Sequence, residues 1–417
     1  MTKSFPPLME ILAQVPDPRH RKGRRYELRS ILALLCAAML CGYRTYSAAV
    51  EWGEYYGDEF RRILGFRRGR CPCKSTLCQL LRRLDIQALN HLLSQWAESV
   101  LEALASESEP EEGVSPARSE EATDEDEEED EDESLGEAFA LDGKAFRGSA
   151  QQGARFPAAL AVLSHRLGIP LLQRPTRGNR PRSSEDGERC RDHEVHVVKQ
   201  LLKDLLVEGR LSGRIWTMDA AHTLEENAKT IVKGGGHYVM PVKKNQGTLR
   251  KAIHLLFEDA SAPKEWFDGE VLLDTGHGRI EIRRIRTSSA LNGYLEWPGA
   301  QQVFCLQRWT RLKRSGEERE DRVYGITSLS SDRANPEQLL RLVRGHWAIE
   351  NRLHWVRDVT FDEDRSQVRA GNTPQVMATL RNVVITLIRL IGETNVAAAC
   401  RRFAARPHEA MALIGAA

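Results

Sequence analysis

Apolar positions recur at helical spacing over 29–43, 45–56 and 75–104 with few β-branched residues among them, so the start of the chain predicts a small helical domain. Beyond residue 137 the period changes. Ala138–Leu141, Ala158–Leu163 and Ile169–Leu172 are short apolar runs that predict strands, the last two joined by a turn at Gly168. His193–Glu208 has the spacing of an amphipathic helix and Arg214–Met218 that of a buried strand. Leu224–Lys233 reads as a helix stopped by three glycines, and His237–Val242 as another strand. That order predicts a mixed α/β sheet. Between Glu270 and Thr327 β-branched and aromatic residues become frequent and turns fall at Gly276, Gly278, Asn292 and Gly299, which predicts a β-rich insertion. Pro336–Phe361 returns to a helical pattern. The longest nearly uncharged apolar run, Ile31–Gly42, spans twelve residues, short of the roughly 20 that a membrane-crossing helix needs.

The 417 residues carry a formal charge of +1, but the two signs are segregated. Glu107–Glu137 holds seventeen acidic residues and one Arg, a net −16, while the remainder holds 59 basic and 42 acidic residues, a net +17. A strip of that composition buries no apolar surface and repels itself, so residues 106–137 are expected to form a disordered linker. A basic body tied to a detachable acidic strip points to a polyanion, nucleic acid above all, as partner. If the strip occupies the basic groove as a DNA mimic, deleting it raises nonspecific DNA affinity and its sensitivity to salt, measured by salt titration on a random duplex. Unchanged affinity and slope would leave it a spacer. The clusters Arg19–Arg25, which contains Arg24 and Arg25, and Arg67–Lys74 sit at turn-like Gly and Pro positions, suited to gripping phosphate rather than reading bases.

Eight cysteines and an N-terminus without a charged-then-apolar leader suit reduced thiols and a cytoplasmic address. In CPCKSTLCQLLRRLD (71–85) the cysteine spacing departs from ordinary zinc sites. A helix capped by Ser75 or Thr76 and burying Leu77, Leu80, Leu81 and Leu84 accounts for more of these residues, and a DNA-contacting helix stays open.

Two acids end strands: Asp142 follows the first, in ALDGKAFRGS, and Asp219 the fourth, in IWTMDAAHT. Carboxylates at the carboxyl ends of adjacent strands face the edge where α/β folds bind ligands, and their mutual repulsion calls for a proton or a cation. Hard oxygen ligands favour Mg²⁺ or Mn²⁺ over zinc. Either Asp taken alone is better explained as a cap of the helix or turn that follows. A third acid is expected on a helix crossing back over the sheet, with Glu350 the best candidate and Asp358 the alternative. His346, Glu350 and His354 share a helical face, but a zinc site there would spread its ligands over roughly 12 Å. Trp347, Ile349, Leu353 and Val356 read as a core face, so Trp347 and Trp355 are expected to pack inside rather than stack on a displaced base.

LDGKAFRGS, TMDAAHT, GGGHYVMPVKKNQGTL, HGRIEIRR, YGITSL and RGHWAIENRLHWVRDVTFDEDRSQVR, in that order, resemble the insertion-sequence DDE transposases of the ISAs type, the branch with the H-repeat-associated proteins. PDPRHRKGRRYELRSILAL and the helices after it resemble the helical domain those enzymes carry in front, so the resemblance covers nearly the whole chain. It implies a fold class of α/β with an RNase H-like mixed sheet and a β-rich insertion, preceded by a small all-α domain. The implied segments are 1–105 helical, 106–137 acidic linker, 138–249 first part of the catalytic core, 250–327 insertion, and 328–417 the helical remainder carrying the third acid.

The resemblance assigns Asp142, Asp219 and Glu350 as a catalytic triad for two Mg²⁺ or Mn²⁺ ions. It implies cleavage and strand transfer on double-stranded DNA, both terminal repeats and target, by a homo-oligomer with no membrane role. The alternatives are a domesticated relative that binds DNA without transposition, and an RNase H-like nuclease. Lys144, Arg147, Lys243 and Lys244 are placed to hold phosphates; His222 is a candidate to orient a nucleophile or cap a turn; His346, Asn351, His354 and Arg357 complete the DNA-facing candidates with Arg24 and Arg25. Related enzymes often carry Tyr-x2-Arg-x3-Glu-x6-Lys. Here those flanking positions are Val343, His346 and Arg357, and only Arg357 keeps the charge.

Overall fold

A computed structural model describes residues 5–67, 69–108, 135–149, 157–177, 187–276 and 278–416; most of the acidic strip, and with it the expected linker, lies outside them. The chain opens with helices α1 (Leu8–Ala13), α2 (Leu28–Leu40), α3 (Tyr46–Tyr55), α4 (Gly57–Ile63), α5 (Lys74–Leu81) and α6 (Ile86–Ser108). Periodicity finds α2 and α3 but misses α1 and α4, which are too short to establish a repeat. The single helix expected over 75–104 is two, because Asp85 accepts from the amides of Gln87 (2.9 Å) and Ala88 (3.1 Å) and so starts α6 afresh. Cys73, rather than Ser75 or Thr76, occupies the cap position of α5, while Leu77, Leu80, Leu81 and Leu84 are buried as expected.

Next come β1 (Ala138–Ala145), β2 (Pro157–Ser164), β3 (Pro170–Arg177), α7 (Gly187–Val207), β4 (Ile215–Met218), α8 (Glu225–Lys233) and β5 (His237–Val242). They are followed by α9 (Gly247–Glu258), β6 (Asp268–Asp274), β7 (Arg279–Ser288), β8 (Gln302–Leu312) and β9 (Glu318–Thr327). All nine strands form one mixed sheet in the order β3-β2-β1-β4-β5-β9-β8-β7-β6. The β-rich stretch therefore continues this sheet: β9 lies antiparallel to β5, with Val239 opposite Thr327, and β8, β7 and β6 follow outward. The chain ends with α10 (Pro336–Gly345), α11 (Trp355–Val359), α12 (Thr373–Arg389), α13 (Val396–Ala405) and α14 (Pro407–Leu413).

Two compact units share β1, which divides between Asp142 and Gly143. One holds the N-terminal helices, Gly143–Glu194 and Ile349–Ala417. At its centre α2 packs against α12. Every residue of α12 from Thr373 to Ile388 is buried, as is α2 from Ser30 to Leu40, the mark of helices enclosed on all sides. Each Leu or Ile so enclosed contributes about 1.5–3 kcal/mol.

The other unit holds β1 up to Asp142 and Val195–Ala348, around a core that includes Ile215, Val239, Phe304, Leu329 and Leu339. Its helix α10 opens on a reciprocal cap between Asn335 and Gln338, with Pro336 in the first turn. The helix expected over 336–361 is interrupted: α10 ends at Gly345, a turn follows at His346–Trp347, and Glu350–His354 forms a π-helical turn before α11. No helix among the described residues is long and apolar enough to cross a membrane.

Candidate active site

Strands β1 and β4 run parallel with Leu141 opposite Met218, so Asp142 and Asp219 are the next residues side by side; Asp219 follows β4, whereas Asp142, expected just past its strand, lies within β1, which continues to Ala145. The capping role foreseen for Asp219 is real. Its Oδ1 accepts from the Ala221 amide (2.9 Å), and the carboxylate remains half-exposed. The loop after β5 is fastened to this turn: Asn245 donates to the carbonyl of Ala220 (2.7 Å) and Gln246 to that of Thr223 (3.1 Å). Those ties bring the exposed Lys243 and Lys244 beside the Asp219 turn. Sequence reading missed Asn245 and Gln246 as anchors, although both lie in the quoted KKNQ.

His346 has a ring nitrogen 3.2 Å from the hydroxyl of Thr217. Burial pushes its imidazole down to about 4 against the pull of Asp219, so it is neutral near pH 7. The place where related enzymes carry Arg thus holds an uncharged ring. His222, proposed as a DNA or nucleophile contact, is buried with its Nε2 3.9 Å from Asp219, and does not reach the surface.

Glu350 opens the π-helical turn, a helix variant that recurs at functional sites. His354, one turn on, donates through Nδ1 to Glu350 Oε2 (2.8 Å). That hydrogen bond, with Lys144 and Arg147 nearby, holds the Glu350 carboxyl below the usual carboxylate range although partial burial opposes it. Glu350 is accordingly an anion. Lys144 lies two residues past Asp142 and so on the same face of β1. Rather than facing solvent, it is buried and donates to Asp358 Oδ2, which ties the strand to α11. Burial pushes the Asp358 carboxyl up while Lys144 pulls it down. Asp358 is committed to this pair.

A further carboxylate was not legible in the sequence. A Cβ on Gly143 would fall 2.5 Å from the carboxylate of Glu194 on α7, so this acid lies against the backbone just after Asp142 and would have to shift for any larger residue there. Its sole sequence signal was membership of an amphipathic helix. Within their own unit Glu350 and His354, and within the other Asp142 and Asp219, are side chains of the kinds that take a divalent cation.

Several DNA-facing candidates are corrected. Arg357 is buried, bonded to Glu363 (2.9 Å from Nε) and Gln173 (3.1 Å), and lies over the Phe146 ring. His354 is buried as well. Arg24 is exposed but clips its own loop, donating to the carbonyls of Arg19 (2.9 Å) and Asp17 (3.1 Å). Arg25, Arg147 and Asn351 are exposed. Trp347 and Trp355, expected inside, are 60% and 58% exposed, because the turn after α10 rotates the stripe and leaves Ile349, Leu353 and Val356 to fill the core.

A mixed sheet with carboxylates side by side on adjacent parallel strands, and an ionised Glu on a later helix, is the plan of the RNase H-like, metal-dependent nucleases and transposases. Residues 184–387 match the family described as Transposase DDE domain, and 9–97 match DDE_Tnp_1-associated. "Putative transposase YncI" of Escherichia coli O157:H7 is 24% identical over 395 residues, covering 93% of this chain and 88% of its own. "H repeat-associated putative transposase YhhI" of Escherichia coli K12 is 24% identical over 390 residues, covering 91% and 90%. The chain belongs to the DDE transposase family. It is an enzyme of the nuclease and transposase class, from a DNA-binding family whose catalytic domain is metal dependent.

Proposed function

We propose that the protein binds the ends of an insertion sequence, cuts them and joins them to target DNA, using Asp142, Asp219 and Glu350 as its catalytic acids. The observation that carries this reading is Asp219 next to Asp142 across the parallel strand pair of one unit, together with a Glu350 held ionised by His354 in the other. The bond of Asp358, the alternative third acid, to Lys144 favours Glu350 for the role. When bound, a pair of Mg²⁺ or Mn²⁺ ions supplies Lewis-acid stabilisation to the attacking and leaving oxygens of the phosphodiester. The protein's own part is positioning and electrostatics, on which phosphoryl transfer chiefly depends.

His354 orients the Glu350 carboxylate through its hydrogen bond. Lys144 fixes the helix that carries Glu350 to the strand that carries Asp142. Arg147, Lys243, Lys244 and Asn351 hold backbone phosphates, and the exposed Trp347 and Trp355 offer faces for an unpaired base. Pairing two element ends needs at least two protomers, so the working form is a homo-oligomer on DNA in a prokaryotic cytoplasm.

The test uses duplexes carrying the inverted repeats that flank the coding sequence. With Mg²⁺, nicking at the repeat ends and strand joining are expected. Binding without cleavage would favour a domesticated DNA-binding protein, and preferential cutting of RNA–DNA hybrids an RNase H-like nuclease.

A further inference from the structure

A cleft of about 540 Å³ opens between the start of α3 and the segment 362–370 that follows α11. Its walls carry three guanidiniums, from Arg44, Arg365 and Arg369, against one carboxylate, Asp362; the acid of the deeper Arg381 is already supplied by Glu363 at 2.6 Å. We propose that this cleft is a second DNA contact, gripping the sugar-phosphate backbone of a strand that leaves the catalytic acids. The inference rests on the transposase reading given above.

Three observations converge on phosphate as the occupant. First, Asp362 lies between Arg44 (4.0 Å) and Arg365 (3.7 Å), so an anion already occupies the space that the two guanidiniums share. Forks of this kind match a phosphate as well as a carboxylate. Second, Asp362 is the only non-glycine residue with a positive φ (54°) among the described residues. The backbone there accepts an unfavourable conformation, a cost that tends to collect at binding sites. Third, the first turn of the ten-residue α3 lines the cleft at Thr45, Tyr46 and Ser47, and its outward amides add positive potential to that of the arginines.

Continuity with the acids selects a DNA strand over a free anion. The wall segment is tied back to the turn that follows β1, where Arg369 donates to the carbonyl of Gly148 (3.4 Å) and Arg147 faces Asp364 (3.9 Å). Arg147 also acts on Glu350 through space. A backbone running outward from Glu350 therefore passes Arg147 and enters a wall of arginines without leaving this unit of the structure. Contacts of this type fix position and carry no sequence preference.

The experiment measures duplex binding by fluorescence anisotropy across a range of salt, using the full chain, a random-sequence duplex and a duplex with the flanking repeats. Substituting Arg44, Arg365 and Arg369 together with Gln should weaken binding to both duplexes and reduce the slope of log affinity against log salt by about 2–3, near 0.9 per lost phosphate contact. Should that variant melt early, Arg365→Gln serves instead, since this side chain is 86% exposed and its loss leaves the fold intact; its expected slope change is about 1. An unchanged slope in a folded variant overturns the proposal. So does a change confined to the repeat duplex, which would mark base reading. If the unaltered protein binds neither duplex, the transposase reading fails and the cleft proposal with it, whereas binding by the unaltered protein with an unchanged slope in the variant overturns the cleft alone.

Discussion

Glu350→Gln and Asp142→Asn each lower Mg²⁺-dependent nicking by at least about 10³-fold, the scale seen when a group that acts only in the transition state is removed, while duplex binding persists. Asp219→Asn behaves the same way if it completes the set. The reasoning is electrostatic. The His354 hydrogen bond and the positive charges of Lys144 and Arg147 keep Glu350 ionised, and Asp142 stands next to Asp219 across the parallel pair of β1 and β4. Replacing either oxygen anion by an amide removes charge from the donor set without changing its shape. Asp358→Asn is the contrast, because an amide oxygen still accepts from Lys144 and cleavage should survive at a reduced rate. Nicking retained by Asp142→Asn or Glu350→Gln, measured on supercoiled and end-labelled substrates, would remove both from the catalytic role.

The largest effect on stability is expected at Glu363. Its carboxylate is fully buried between Arg357 (2.7 Å) and Arg381 (2.6 Å), and Arg357 is itself wholly enclosed. Glu363→Gln leaves two buried guanidiniums facing one another, and breaking a buried pair from one side costs about 3–5 kcal/mol. Burial pushes the Glu363 carboxyl up, yet the two arginines hold it below its usual value. A depressed acid stabilises the fold above its unfolded value of about 4.3 and loses that contribution as pH falls through the folded value. Urea unfolding at a series of pH values should therefore show the gap between the native protein and Glu363→Gln narrowing below about pH 4. A gap that stays constant with pH would mean that Glu363 acts by shape alone.

Much of the layout was legible because it depends on local pattern. The expected strand His237–Val242 appears with the same limits, and the runs at 138–141, 158–163 and 214–218 fall within or beside observed strands. The two strand aspartates could be singled out because each directly follows a short apolar run in the sequence, AFAL and IWTM. Glu350 owed its assignment to resemblance, since periodicity placed it on a helix without showing what it faced.

Other features lay beyond such reading. Arg357 kept the charge of the expected motif and looked like a DNA contact, but its partners sit in Gln173, Glu363 and Asn382. Nor did anything nearby in sequence show that Glu194 would lie against Gly143. The two tryptophans were assigned to the core by a helical stripe that the His346–Trp347 turn interrupts.

Periodicity, turn residues and charge segregation are properties of neighbouring residues, so the amino-acid order alone determined the longer helices and the strands, the basic body with its acidic strip, and the acids carried by β1 and the end of β4. Which charges are spent on the fold and which remain for a ligand is settled by desolvation and pairing between distant segments, as with Lys144 and Asp358, 214 residues apart. Only the folded chain could decide that Asp358 is paired with Lys144, Arg357 enclosed and Glu350 left as an anion.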